Sequence, residues 1–81
     1  MPRGLNNWTY RDVDRFLRKR GFVLKYSESG SAHRYYVRTE QDGEQIVTVA
    51  FHGAKTMYGH RVMRSMIAQS GIVAQEWSRG V

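Results

Sequence analysis

Three β-prone segments follow one another between Phe22 and Phe51, and the connections between them are too short for a parallel crossover, which needs about a dozen residues or more. They are residues 22–27, His33 to Thr39 and Ile46 to Phe51. The first gap is the turn-rich Glu28-Ser29-Gly30-Ser31, and the second carries the hairpin signal Gln41-Asp42-Gly43. The segments are therefore antiparallel neighbours.

A helix is predicted on each side of this meander. Thr9 stands where it can cap the first, Asp12 occupies the capping-box position three residues on, and Trp8 is placed to staple onto Val13. Tyr10, Val13, Phe16 and Leu17 recur at helical spacing, Arg11, Asp14, Arg15 and Arg18 take the other face, and Gly21 ends the helix behind Lys19 and Arg20. After a loop containing Gly53, Lys55 and Gly59, a second helix carries Val62, Met63, Met66 and Ile67 as its apolar stripe, with Tyr58 ahead of it as a staple, and closes at Gly71. Ala74 to Ser78 is predicted as a short final helix whose Trp77 packs back onto the rest. A chain of 81 residues buries only about 60 % of its unfolded surface, enough for two helices against one small sheet. The expected fold class is α+β: one domain over residues 1–81, a two-layer α-β-β-β-α sandwich with a three-stranded antiparallel sheet and the helices on one face.

Composition narrows the function. Thirteen Lys and Arg oppose seven Asp and Glu, a formal charge of +6, and most of the cations are Arg, which suits bidentate phosphate contact. Such a balance points to a polyanionic partner, most simply nucleic acid, or to an acidic protein surface. The cysteine count is zero, so neither disulfides nor thiolate metal sites form, in keeping with a reducing compartment. No stretch reaches the length of a membrane span and the start lacks an apolar signal core, so a cytoplasmic protein is expected. The three histidines, 33, 52 and 60, show neither His-x-x-x-His nor His-Glu-x-x-His spacing, and no metal or other cofactor is expected. Met57, Met63 and Met66 read as core filling.

The order of elements matches the double-stranded-RNA-binding-domain (dsRBD) fold. Within it, Gly21-Phe22-Val23, then Gly30-Ser31-Ala32-His33 opening a strand, then Val47-Thr48-Val49-Ala50-Phe51-His52-Gly53, then Arg64-Ser65-Met66-Ile67-Ala68-Gln69-Ser70-Gly71-Ile72 resemble the HicA family of mRNA-interferase toxins. The resemblance spans residues 9–78, and the chain departs from the usual family pattern at Ala50, commonly Pro, and at His60, commonly Thr. It implies a metal-independent endoribonuclease acting on mRNA, with His33 as the catalytic residue and a HicB-type antitoxin as its protein partner.

The chemistry of the residues agrees with that implication. RNA carries its own nucleophile, the 2′-OH, and imidazole is a general base suited to neutral pH. Along the second strand Tyr35 and Val37 share a face with His33, whereas Arg34, Tyr36 and Arg38 share the other, a mixture of basic and aromatic groups suited to phosphate contact and base stacking. Ser31, Arg34, Tyr36, Arg38, His52 and Lys55 are the candidate phosphate or RNA contacts. Two rival readings stand beside this one. A non-catalytic RNA-binding module of the same fold would be indifferent to loss of His33, and a protein-interaction domain would hold RNA no better than its bare charge dictates. The basic group Arg11, Arg15, Arg18, Lys19 and Arg20 suits RNA or an acidic antitoxin surface, with a plainly solvated helix face as the default reading of such a charge run.

Overall fold

The computed structural model describes residues 7–27, 33–53 and 55–79. Its elements run β1 (Trp8–Thr9), α1 (Tyr10–Lys19), β2 (Val23–Ser27), β3 (His33–Glu40), β4 (Gly43–Ala50), β5 (Met57–Tyr58), α2 (His60–Ser70) and α3 (Ala74–Arg79). The α+β class, the three-stranded sheet and the short C-terminal helix are those expected.

Helix α1 begins where its capping signal stands. The Thr9 hydroxyl accepts the Asp12 amide at 3.2 Å, and the Asp12 carboxylate accepts the Thr9 amide at 3.0 Å, so two amides without helical partners are satisfied reciprocally. The helix stops at Gly21, whose φ of +89° is a left-handed conformation that favours glycine, and the next amide, of Phe22, donates back to the Leu17 carbonyl.

The sheet order is β2-β3-β4, antiparallel throughout. Strands β3 and β4 form a hairpin whose register runs from His33 opposite Ala50 to Glu40 opposite Gly43. It closes over Gln41 and Asp42, and Gly43 has a φ of +134°. Strand β4 is longer at its start than the expected Ile46–Phe51, because pairing continues through the polar Gly43-Glu44-Gln45, where no apolar residue signals it. Across this hairpin Tyr36 lies opposite Val47 and Arg34 opposite Val49. Tyr36, Val47 and Val49 are buried, which identifies the even-numbered face of β3 as the one beneath the helices. His33, Tyr35 and Val37, with Ala50, Thr48 and Ile46 opposite them, form the other face.

One pairing lies outside the expected sandwich. Strands β1 and β5 form a separate two-stranded ladder, Trp8 opposite Tyr58 and Thr9 opposite Met57, that ties together the chain segments entering α1 and α2. The core centres on three aromatic rings. Phe16 and Trp77 stack at 4.1 Å, and Trp8 meets both, edge-on to Phe16 at 6.2 Å and tilted against Trp77 at 5.7 Å. The Trp77 indole N–H donates to the hydroxyl of the buried Ser70, which also accepts the Ile72 amide and donates to the Ile67 carbonyl. Met63 and Met66 fill the core as expected. Met57 and Val62 do not: they are 57 % and 44 % exposed, because Met57 lies on the outer side of the short ladder and Val62 on the solvent side of α2.

Gln69 fastens α2 to the outer strand. Its side-chain oxygen accepts the Thr48 amide at 2.7 Å, and its backbone carbonyl accepts the Gln45 side chain at 2.9 Å. The partner-seeking edge of β4 is thereby partly occupied. Gly71, at φ +73°, ends the helix beside this clamp, where a Cβ would meet the Gln45 amide nitrogen at 3.0 Å. Among the described residues no helix is long and apolar enough to cross a membrane.

Candidate active site at one end of the sheet

His33 opens β3 and is exposed. Its register partner Ala50 closes β4, so the hairpin sets His33 beside the chain that continues into Phe51 and His52. His52 is exposed on the turn that follows, where its amide donates to the Thr56 hydroxyl at 2.8 Å and that hydroxyl donates to the Gly53 carbonyl at 2.7 Å. Lys55 is exposed in the same turn. The sequence-predicted residues His33, His52 and Lys55 therefore belong to one end of the sheet, while Ser31 lies outside the described residues. His60, exposed at the start of α2, belongs to a different element.

Arg34 turns to the helix side of the same end. Its guanidinium lies 3.7 Å over the Phe51 ring and 5.3 Å from the centre of Tyr10, and it donates to the Tyr10 hydroxyl at 3.2 Å. The Tyr10 and Phe51 rings meet edge to face at 4.6 Å. Beneath them runs a chain of hydroxyls. The Tyr36 hydroxyl donates to Asp14 Oδ1 at 2.6 Å, so the Tyr10 hydroxyl, 2.5 Å from it, supplies the proton of their mutual bond and accepts from Arg34. The same carboxylate oxygen accepts Arg18 Nε at 2.8 Å, which raises the Arg18 pKa above the ordinary arginine value. Burial, then the bond to Asp14, hold the Tyr36 phenol well above the ordinary tyrosine range and keep it neutral.

Two expected RNA contacts are thus reassigned. Tyr36 is fully buried, and its ring is a core element that cannot stack on a base. Arg38 lies over Phe22 at 4.9 Å, donates to the Arg20 carbonyl at 3.2 Å and grips Glu40 Oε1 through Nε and Nη2 at 3.0 and 2.7 Å. It tacks the end of α1 to the sheet. In the basic group of α1, Arg18 is paired with Asp14 and Arg20 with Glu76, whereas Arg11, Arg15 and Lys19 are exposed. Among the described residues no group of three His, Cys, Asp or Glu side chains is placed to hold a metal ion.

Sequence reasoning missed Tyr10, Asp14 and Phe51 as parts of this end of the molecule. For Phe51 a signal exists. It continues the alternation of Val47 and Val49, which puts it on the helix side with Arg34. For Tyr10 and Asp14 the placement depends on how α1 docks, and no local pattern encodes that.

The family described as HicA toxin of bacterial toxin–antitoxin systems matches residues 10–72, more than three quarters of the chain, including His33, Arg34, His52 and Lys55. No curated protein and no solved structure matches. With its matched span running from the first residue of α1 to just beyond α2, the chain belongs to the HicA toxin family, the nuclease-toxin side of bacterial toxin–antitoxin pairs.

Proposed function

We propose that the protein is a metal-independent endoribonuclease, an mRNA interferase that cleaves single-stranded RNA in the cytoplasm with His33 as general base. The observation that carries this reading is the exposed His33 at the start of β3, inside the span that matches a toxin family. The His33 imidazole takes the proton of a ribose 2′-OH. The 2′-oxygen attacks the adjacent phosphorus, the bond to the 5′-oxygen breaks, and that oxygen leaves with a proton drawn from water, while the His33 imidazolium returns its own proton to solvent. The products are a 2′,3′-cyclic phosphate and a 5′-hydroxyl. General-base catalysis supplies a factor of about 10²–10⁴. The remainder comes from cations near the developing charge, and Lys55, His52 and Arg34 are the groups at this end suited to that work. The exposed Arg11, Arg15 and Lys19 of α1 suit an acidic surface, and a HicB-type antitoxin is the partner this reading assigns to the protein.

The test is incubation of the wild type and a His33→Ala variant with labelled single-stranded RNA in EDTA. Fragments ending in a cyclic phosphate from the wild type alone are expected. Fragments from both proteins, or activity restored to an EDTA-treated sample only by divalent ions, overturn the mechanism. RNA retention without cleavage assigns the protein instead to the non-catalytic binding modules of dsRBD-like fold.

A further inference from the structure

Tyr10, Arg11, Asp14, Arg34 and Phe51 line an open cleft of about 260 Å³ for which the cleavage scheme has no use beyond the charge of Arg34. It falls below the roughly 300–1,000 Å³ of pockets that hold drug-sized ligands, a size suited to a single planar ring system. Its walls are of the kind that take one: two aromatic rings and a guanidinium whose carbon lies 3.7 Å from the centre of the Phe51 ring. Arg34 is held there by the Tyr10 hydroxyl, so the platform is formed before any ligand arrives.

The cleft adjoins the candidate catalytic residue along both strands. Arg34 directly follows His33, and Phe51 directly follows Ala50, the register partner of His33. His33 lies on one face of the sheet end and the cleft on the other, one residue apart, so a single strand passing over that end meets both. We propose that the cleft receives one unpaired nucleobase of the RNA, stacked on the Arg34–Phe51 platform, and that Asp14 selects bases carrying an exocyclic amine. This rests on the reading that RNA is the substrate.

The selectivity follows from what Asp14 has left to offer. Its Oδ1 accepts from both the Tyr36 hydroxyl and Arg18, while Oδ2 takes no hydrogen bond among the described residues. An ionised carboxylate only accepts. It suits the amino groups of cytosine, adenine and guanine, and meets only carbonyl oxygens at the exocyclic positions of uracil. Arg11 at the rim supplies a cation for the adjoining phosphate.

The experiment uses two short oligonucleotides, all cytidine and all uridine, with every 2′-OH methylated so that neither can be cut. Binding is followed by fluorescence anisotropy at physiological salt, with unmodified RNA cleavage measured in parallel. The wild type is expected to prefer the cytidine strand by about fivefold or more. Phe51→Leu weakens binding of the cytidine strand by about fivefold or more, within the span of one base–aromatic stack, while Phe51→Tyr keeps it. Asp14→Asn, whose amide also donates, narrows the preference. Ring-proton shifts of Tyr10 and Phe51 on adding the cytidine strand to the wild-type protein report the same contact without any substitution. Equal affinity for the two strands, or rings that do not respond, overturns the proposal. Cleavage that persists alongside such a result leaves the nuclease reading standing. Base-selective binding without cleavage of unmodified RNA removes the nuclease reading and leaves the cleft.

Discussion

Trp8 and Trp77 pack their indoles 5.7 Å apart, and both lie outside residues 10–72, the span matched by the family. Both are fully buried. The segments flanking the matched span therefore complete its core. Trp77→Ala is expected to cost about 3–5 kcal/mol, a large part of the roughly 5–15 kcal/mol that holds a small domain together. Urea denaturation checks this, and a variant that unfolds at the wild-type midpoint contradicts the packing described.

His33→Ala is expected to behave in the opposite way. The residue is exposed at a strand end, so the stability change stays within about 0.5 kcal/mol. RNA cleavage falls by about 10²–10⁴. Thermal melts and cleavage rates on the same preparations separate the two effects, and a large drop in melting temperature would make His33 a structural residue.

These two residues also mark what is legible in the sequence. Helix α1 could be read because its start is written locally, in Thr9 and Asp12, and the hairpin because Gln41-Asp42-Gly43 names its own turn. The alternation along β3 separated Arg34, Tyr36 and Arg38 from His33 and Tyr35, but it could not say which set lies beneath the helices. The pairing of Tyr36 with Val47 decides that, and it follows from the hairpin register once the turn is fixed. The ladder between Trp8–Thr9 and Met57–Tyr58 has no local signature, because two residues carry no periodicity and the partners are far apart in the chain. The cleft was illegible for the same reason. Tyr10 meets Arg34 and Phe51 only when α1 is docked.

Gln69→Ala removes the acceptor of the Thr48 amide at the outer edge of β4. Alanine is the better helix former, and the only other bond lost among the described residues is the exposed one from Gln69 Nε2 to the Ser65 hydroxyl, so the loss reports chiefly the clamp. A cost of about 1–2 kcal/mol is expected, with faster hydrogen exchange at the Thr48 amide. Unchanged exchange there would mean that the edge amide is satisfied in another way.

Alkali is expected to weaken the fold. Burial raises the phenol pKa of Tyr36 and of Tyr58 above the unfolded value of about 10, and both are neutral in the folded protein. Above pH 10 the unfolded chain releases protons that the folded chain keeps. The stability these phenols contribute is therefore complete below pH 10 and declines as the pH rises beyond it. Tyr58→Phe, which gives up the hydroxyl bond to the Ala50 carbonyl, should show a shallower decline in melts taken from pH 8 upward. An equal slope in both proteins would place the alkaline loss elsewhere.

The aromatic cluster joins positions 8, 16 and 77 at one point. No contiguous fragment shorter than residues 8–77 holds all three rings, so no short fragment has a complete interior to fold around. Unfolding is accordingly expected as a single cooperative transition in which hairpin, helices and candidate site are lost together. A chain cut short of Trp77 lacks one wall of that core, so the indoles of Trp8 and Trp77 tie the stability of the whole fold to an intact chain.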